Sequence, residues 1–76
     1  MPRYFFHFND GKRTFNDAHG VTLTGIAAAR ENAIAQIREM KSAEGHIQDW
    51  SDWKMIVGNA DGTIVSEINF GRKPIK

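Results

Sequence analysis

Three histidines, His7, His19 and His46, are the side chains of this sequence best suited to chemistry near neutral pH, since imidazole can ligate a metal or move a proton there. No pair of them has metal-ligand spacing, and with no cysteine in the chain a thiolate cluster is excluded. Asp17 and His19 fall together in a loop, but an isolated Asp-x-His arises by chance and carries little meaning. His7 differs in kind because it projects from the centre of a strand beside Arg3 and Phe5. Even so, a histidine paired with Thr14 or a loop carboxylate is a stronger reading than a catalytic one. Arg30 lies about 40° from the centre of an apolar helical stripe, where it would mark an anion or partner site. The alternative is a stem lying over the core with the guanidinium in solvent, or an ion pair with Asp17 or Glu67. His7, Asp17 and Arg30 thus form one candidate ligand or metal pocket, with Asp17 and Arg30 as its ion-pair site. Trp50 and Trp53 could stack a base or a sugar ring, although core or lid packing suits their size better. Glycine-rich phosphate loops, nucleophile elbows and paired catalytic carboxylates are absent from the sequence. A non-enzymatic protein with no cofactor is expected.

The elements that position these residues start with Met1 to Asp10, where Tyr4, Phe5, Phe6 and Phe8 concentrate in five positions. As a strand this segment points Tyr4, Phe6 and Phe8 to one face and Arg3, Phe5 and His7 to the other. Asn9-Asp10-Gly11-Lys12 is a hairpin turn, and the return strand, about Lys12 to Phe15, places Phe6 opposite Phe15 and His7 opposite Thr14. Val21 and Leu23 lead into a helix over Thr24 to Ala43, with Thr24 as N-cap. Ile26, Ala29, Ala33, Ile34, Ile37 and Met40 form its inner stripe, and Gly45 supplies the stop. The alanines Ala28, Ala29 and Ala33 let the helix approach large rings on a sheet. A third strand runs from Trp53 to Gly58 and a fourth from Thr63 to Phe70. A four-residue loop between them would place Val57 opposite Ile64 and Trp53 opposite Ile68.

The expected architecture is α+β, ββαββ, a four-stranded antiparallel sheet in the order 2-1-3-4 with one helix across one face. That order keeps every neighbour antiparallel and makes the helix a crossover. Residues 1–70 form a single domain and 71–76 a flexible basic tail. At 76 residues the chain buries only about 60% of its unfolded surface, which leaves no room for a deep enclosed site. The missing cysteines fit a reducing, cytoplasmic setting, and no signal peptide or membrane-spanning run is visible. Ten basic against nine acidic residues give a net charge of +1, a weak footprint for a dedicated nucleic-acid binder.

The opening Met1-Pro2-Arg3-Tyr4-Phe5-Phe6-His7 carries a resemblance. So do Asp10-Gly11, Asp17 with Gly20, Ala28-Ala29-Arg30, Trp50-Ser51-Asp52-Trp53 and Asp61-Gly62. Together they resemble a family of small bacterial proteins of unknown function, common in alphaproteobacteria and marked by the "MPRYFFH" start. The resemblance implies a single bacterial domain and brings no activity, cofactor or catalytic residue. The chain departs from the family at the helix start, where Thr24-Gly25 stands in place of a frequent proline.

One helix can cover only one face of such a sheet. Arg3, Phe5, His7, Lys54, Ile56, Val65 and Glu67 are therefore expected on an open face, where an apolar patch marks an association surface. The leading expectation is a module that self-associates or binds a protein partner through that face. Weak single-stranded nucleic-acid binding through the same residues is the alternative, and a small ligand- or metal-binding protein around His7, Asp17 and Arg30 is the third reading.

Overall fold

A computed structural model describes residues 1–46 and 49–71, so the expected tail from Arg72 onward lies outside the described residues. The order is β1 (Arg3–Asn9), β2 (Thr14–Phe15), β3 (Val21–Thr22), α1 (Ile26–Ala43), β4 (Lys54–Asn59) and β5 (Ile64–Asn69). The sheet runs β2-β1-β4-β5 with every pairing antiparallel, which is the expected 2-1-3-4 order. β3 is an addition. It pairs with the start of β1 on the edge that β2 occupies further along, so this edge strand is broken in the middle. Two residues carry no periodicity, so Val21 and Thr22 are indistinguishable in sequence from the approach to the helix.

β1 alternates as its aromatic pattern requires. Tyr4 and Phe6 are buried in a core with Ala29, Ala33, Ile37, Trp50, Met55, Val57 and Phe70. α1 packs on β4 and β5, and the completely buried Ala29 and Ala33 are the small side chains that let it lie close. Its start differs from expectation: the helix begins at Ile26, Gly25 is the N-cap, and no side chain caps it, so Thr24 does not fill that role. Ile26 is half exposed and falls off the inner stripe. At the other end Glu44 is the C-cap, its N–H bonding Met40 O, and the helix stops two residues before Gly45.

Both hairpins have registers two residues away from the expected ones. β1 pairs Phe8 with Phe15 and Asn9 with Thr14, in place of Phe6 with Phe15 and His7 with Thr14. The wider turn is held by Asp10, whose Oδ1 accepts from the Lys12 and Arg13 amides. β4 pairs Met55 with Ile68 and Val57 with Ser66, then shifts register so that Gly58 faces Ile64. This irregularity leaves Val65 as the extra residue of β5 and reverses two side chains. Val65 packs against the core, while Ile64 is 57% exposed. Val65 is thus not an open-face residue; Ile64 takes that place.

Gly71 closes the fold at the sheet end. A Cβ there would lie 2.7–2.8 Å from backbone atoms of Trp50 and Ser51. Backbone cannot rotate away as a side-chain tip can, so Gly71→Ala must push the Trp50 segment off Phe70 and should cost about 1–3 kcal/mol. Urea denaturation followed by tryptophan fluorescence checks this; an unchanged midpoint contradicts the close approach.

Candidate functional site

The broken edge of β1 is where the polar side chains converge. Between β2 and β3 the chain loops away over Asn16 to Gly20, and the Phe6 amide in the gap has no strand partner. Asp17 replaces one: its Oδ2 accepts from Phe6 N–H at 3.1 Å. Its Oδ1 accepts from the His19 and Gly20 amides at 3.0 and 3.1 Å, fixing the loop's own turn. His7 completes the clasp, Nδ1 accepting from the Asp17 amide at 3.0 Å. Arg3 adds a bond from Nε to His19 O at 2.7 Å and a second from Nη1 to Thr22 Oγ1 at 3.3 Å. Partial burial pushes the Asp17 carboxyl upward. The amides of Phe6, His19 and Gly20, with a smaller electrostatic pull from His7, outweigh it and hold the group below the ordinary aspartate value.

Gly20 is required by this geometry. Its φ is +72°, and a Cβ would stand 2.8 Å from Tyr4 O and 2.9 Å from the Phe5 ring. The loop therefore lies flat against β1, and the Phe5 ring rests on it. Asp17 three residues before Gly20 was the visible signal for this clasp, although the two positions alone do not reveal which strand amide the carboxylate serves.

The sheet face away from α1 is read from the register. Phe5, Gly58 and Ile64 form one row, and His7, Ile56 and Glu67 the next. Asn9, Lys54 and Asn69 form the third. The Phe5 and His7 rings are parallel to within 7° at 6.5 Å between centroids. A Cβ on Gly58 would come within 3.9 Å of His7 Nε2, so the imidazole lies over that glycine. Lys54 Nζ meets Glu67 Oε1 at 3.8 Å, both side chains about half exposed. Phe5 and Ile56 are half-buried, and Ile64 stands proud.

Arg30 is elsewhere. It projects from α1 on the opposite side of the sheet, Nη1 donating to Ser66 Oγ at 3.2 Å. The pocket of His7, Asp17 and Arg30 is thus divided by the sheet, and Asp17 and Arg30 are not paired with each other. No group of three potential metal-ligating side chains is found among the described residues. His46 Nε2 lies 3.6 Å from Glu44 Oε1 in an exposed position.

The tryptophans belong to an aromatic ladder. Phe8 stacks between Phe15 at 4.7 Å and Trp53 at 6.0 Å. Trp50 meets Trp53 edge-on at 4.8 Å and stacks on Phe70 at 5.6 Å. The Arg13 guanidinium lies 5.3 Å from the Phe15 ring centroid. Trp50 is buried in the core rather than lying over it as a lid. The ladder's rings already stack on one another, which argues against a base or sugar platform.

These features define an α+β domain in which α1 packs on one face of a five-stranded antiparallel sheet and a polar loop is clasped to the first strand. The chain belongs to the family described as Domain of unknown function (DUF6894), whose model matches residues 3–71. Comparison with curated proteins and with solved structures gives no match. No described helix is long and apolar enough to cross a membrane.

Proposed function

We propose that this domain is a non-catalytic association module that pairs with a second copy of itself through the open sheet face. The observation that carries this reading is Ile64, turned outward by the β5 irregularity into a row with Phe5 and beside Ile56. Large apolar side chains gathered on one uncovered face are the mark of an association surface. The polar candidates for chemistry are meanwhile committed: both Asp17 oxygens hold backbone amides, and His7 Nδ1 holds the loop.

Charge favours a second copy as the occupant. Lys54 on β4 and Glu67 on β5 lie side by side on the face, so a two-fold axis running along the strands between β4 and β5 sets each against its opposite sign. Strands about 4.8 Å apart, with six residues rising about 3.3 Å each, give a face of roughly 400 Å². Two such faces bury about 800 Å², below the roughly 1,200 Å² of stable complexes, and the pairing is therefore weak and concentration-dependent.

The same bonds weigh against nucleic acid. Arg3 is engaged with the loop and Lys54 with Glu67, which leaves few cations to neutralise phosphate. The missing cysteines support a reducing, cytoplasmic setting, and the "MPRYFFH" opening supports a bacterial, alphaproteobacterial source.

Sedimentation velocity from about 10 to about 500 µM spans the weak range expected of so small an interface. The sedimentation coefficient should rise with concentration, and Ile64→Glu, at an exposed position, should hold the chain monomeric without loss of fold. A monomer throughout overturns self-association. Salt-sensitive anisotropy with mixed single strands at low salt would transfer the face to nucleic acid.

A further inference from the structure

We infer that His7 is a pH-operated latch for the Asn16–Gly20 loop: only the neutral imidazole can accept the Asp17 amide, and protonation releases the loop from β1. A backbone N–H can meet Nδ1 only while that nitrogen carries a lone pair, which fixes the proton on Nε2. Proton uptake at Nδ1 sets N–H against N–H. The imidazolium must then find another acceptor, and the carboxylate of the same loop residue already takes the Phe6, His19 and Gly20 amides. Either the Asp17 amide is abandoned or the carboxylate turns to His7 and gives up some of those three. Both outcomes move the loop.

The surroundings of His7 do not remove this conflict. On β1 its face-mates are Arg3, Phe5 and Asn9, and Arg3 is tied to His19 O and Thr22. On β4 its paired residue is the uncharged Ile56, with Lys54 one row on. Beyond Ile56 on β5 stands Glu67, joined to Lys54. The loop contributes Asp17, the His19 backbone and the exposed His19 side chain. Asp17 alone bonds the imidazole among these groups, and it does so through its amide.

Release of the loop also alters the open face. The Phe5 ring rests against Gly20, and His7 lies over Gly58 in the neighbouring row. Latch and face therefore change together, with a new positive charge placed among Phe5, Ile56 and Ile64. Protonation should weaken association; this last step rests on the proposed pairing of open faces, whereas the latch itself does not.

The intact ¹⁵N-labelled chain tests the latch by NMR between about pH 7.5 and about pH 5, a range chosen to span histidine chemistry while leaving Asp17 ionised. The expected result is the Nε2–H tautomer of His7 at the upper end. The Phe6 and Asp17 amide shifts should follow the His7 ring titration, and protection of the Asp17 amide against exchange should fall about tenfold or more on protonation. His7→Asn places Oδ1 where Nδ1 stands, an oxygen that accepts from Asp17 at any pH, so its Phe6 and Asp17 amide signals should stay fixed across the range. An Nδ1–H tautomer at the upper pH overturns the inference. So do Phe6 and Asp17 amides that ignore the His7 titration, or that move equally in His7→Asn. Sedimentation at both ends of the range separates the two readings: a monomer at both removes the pairing of faces, and the loop signals still decide the latch.

Discussion

Phe6→Ala should leave the domain largely unfolded at room temperature. The ring is 4% exposed, pairs across to Val57 on β4 and belongs to the cluster holding Ala29, Ala33 and Met55. Truncating a buried phenylalanine costs about 3–5 kcal/mol, because the cavity adds to the lost transfer energy. A single core in a chain below about 80 residues seldom supplies more than about 3–5 kcal/mol of net stability. The loss therefore equals the reserve. Phe5→Ala, one residue away, removes a half-buried ring from the open face and should cost well under half as much while weakening association. Far-UV circular dichroism and urea titration of both variants compare them directly. Equal destabilisation in the monomer means that β1 does not have one core face and one free face, and the association surface loses its basis.

That contrast was legible in the sequence because aromatic alternation over Tyr4 to Phe8 admits only one strand phase. The strand order was legible too, since keeping all neighbours antiparallel left 2-1-3-4 with the helix as crossover. The helix body announced itself through Ala29, Ala33 and Ile37, each at the spacing of one face. What the sequence concealed were features set by backbone rather than by pattern. Assuming an unbroken period of two sent Val65 outward and Ile64 inward, and one extra residue in β5 reversed both. Likewise Thr24 carried the residue type of a cap, yet the chain enters the helix through Gly25 in extended conformation.

The clasp was the least visible part of the site because its partners are main-chain amides, which leave no trace in residue types. Asp17 and His7 have the residue types of a chemical site, and their bonds replace a missing strand. Arg30 interrupts an apolar stripe, and its Nη1 donates to the Ser66 hydroxyl on the sheet face that α1 covers. Small polar groups of this kind are common in sequences, so only the register identifies which one is near. The exposed row centred on Ile64 is a consequence of the same register.

Removing the Asp17 carboxylate should produce the second-largest loss. Asp17→Ala leaves the part-buried Phe6 amide without its acceptor and frees the His19 and Gly20 amides as well. An unsatisfied buried donor costs about 1–3 kcal/mol, and partial exposure of the loop keeps the total toward the lower half for each bond. Asp17→Asn is the sharper variant. Its single oxygen can serve Phe6 or the turn, but its NH₂ group must face a donor at the other. The pH dependence follows from the lowered carboxyl: a group whose folded pKa lies below its unfolded value, 3.8 for aspartate here, stabilises fully above that value. That contribution disappears as pH falls through the folded pKa, in the acid range below about pH 4. Asp10, Asp49 and Asp61 are lowered as well, through turn amides, so acid sensitivity of the whole chain does not isolate the clasp. The difference between variants does. Urea midpoints of the native chain and Asp17→Asn should stand well apart at about pH 7 and converge as the pH falls through the lowered folded pKa of the native carboxyl. A gap of constant size across that range would mean that the ionised carboxylate is not what holds the loop to β1.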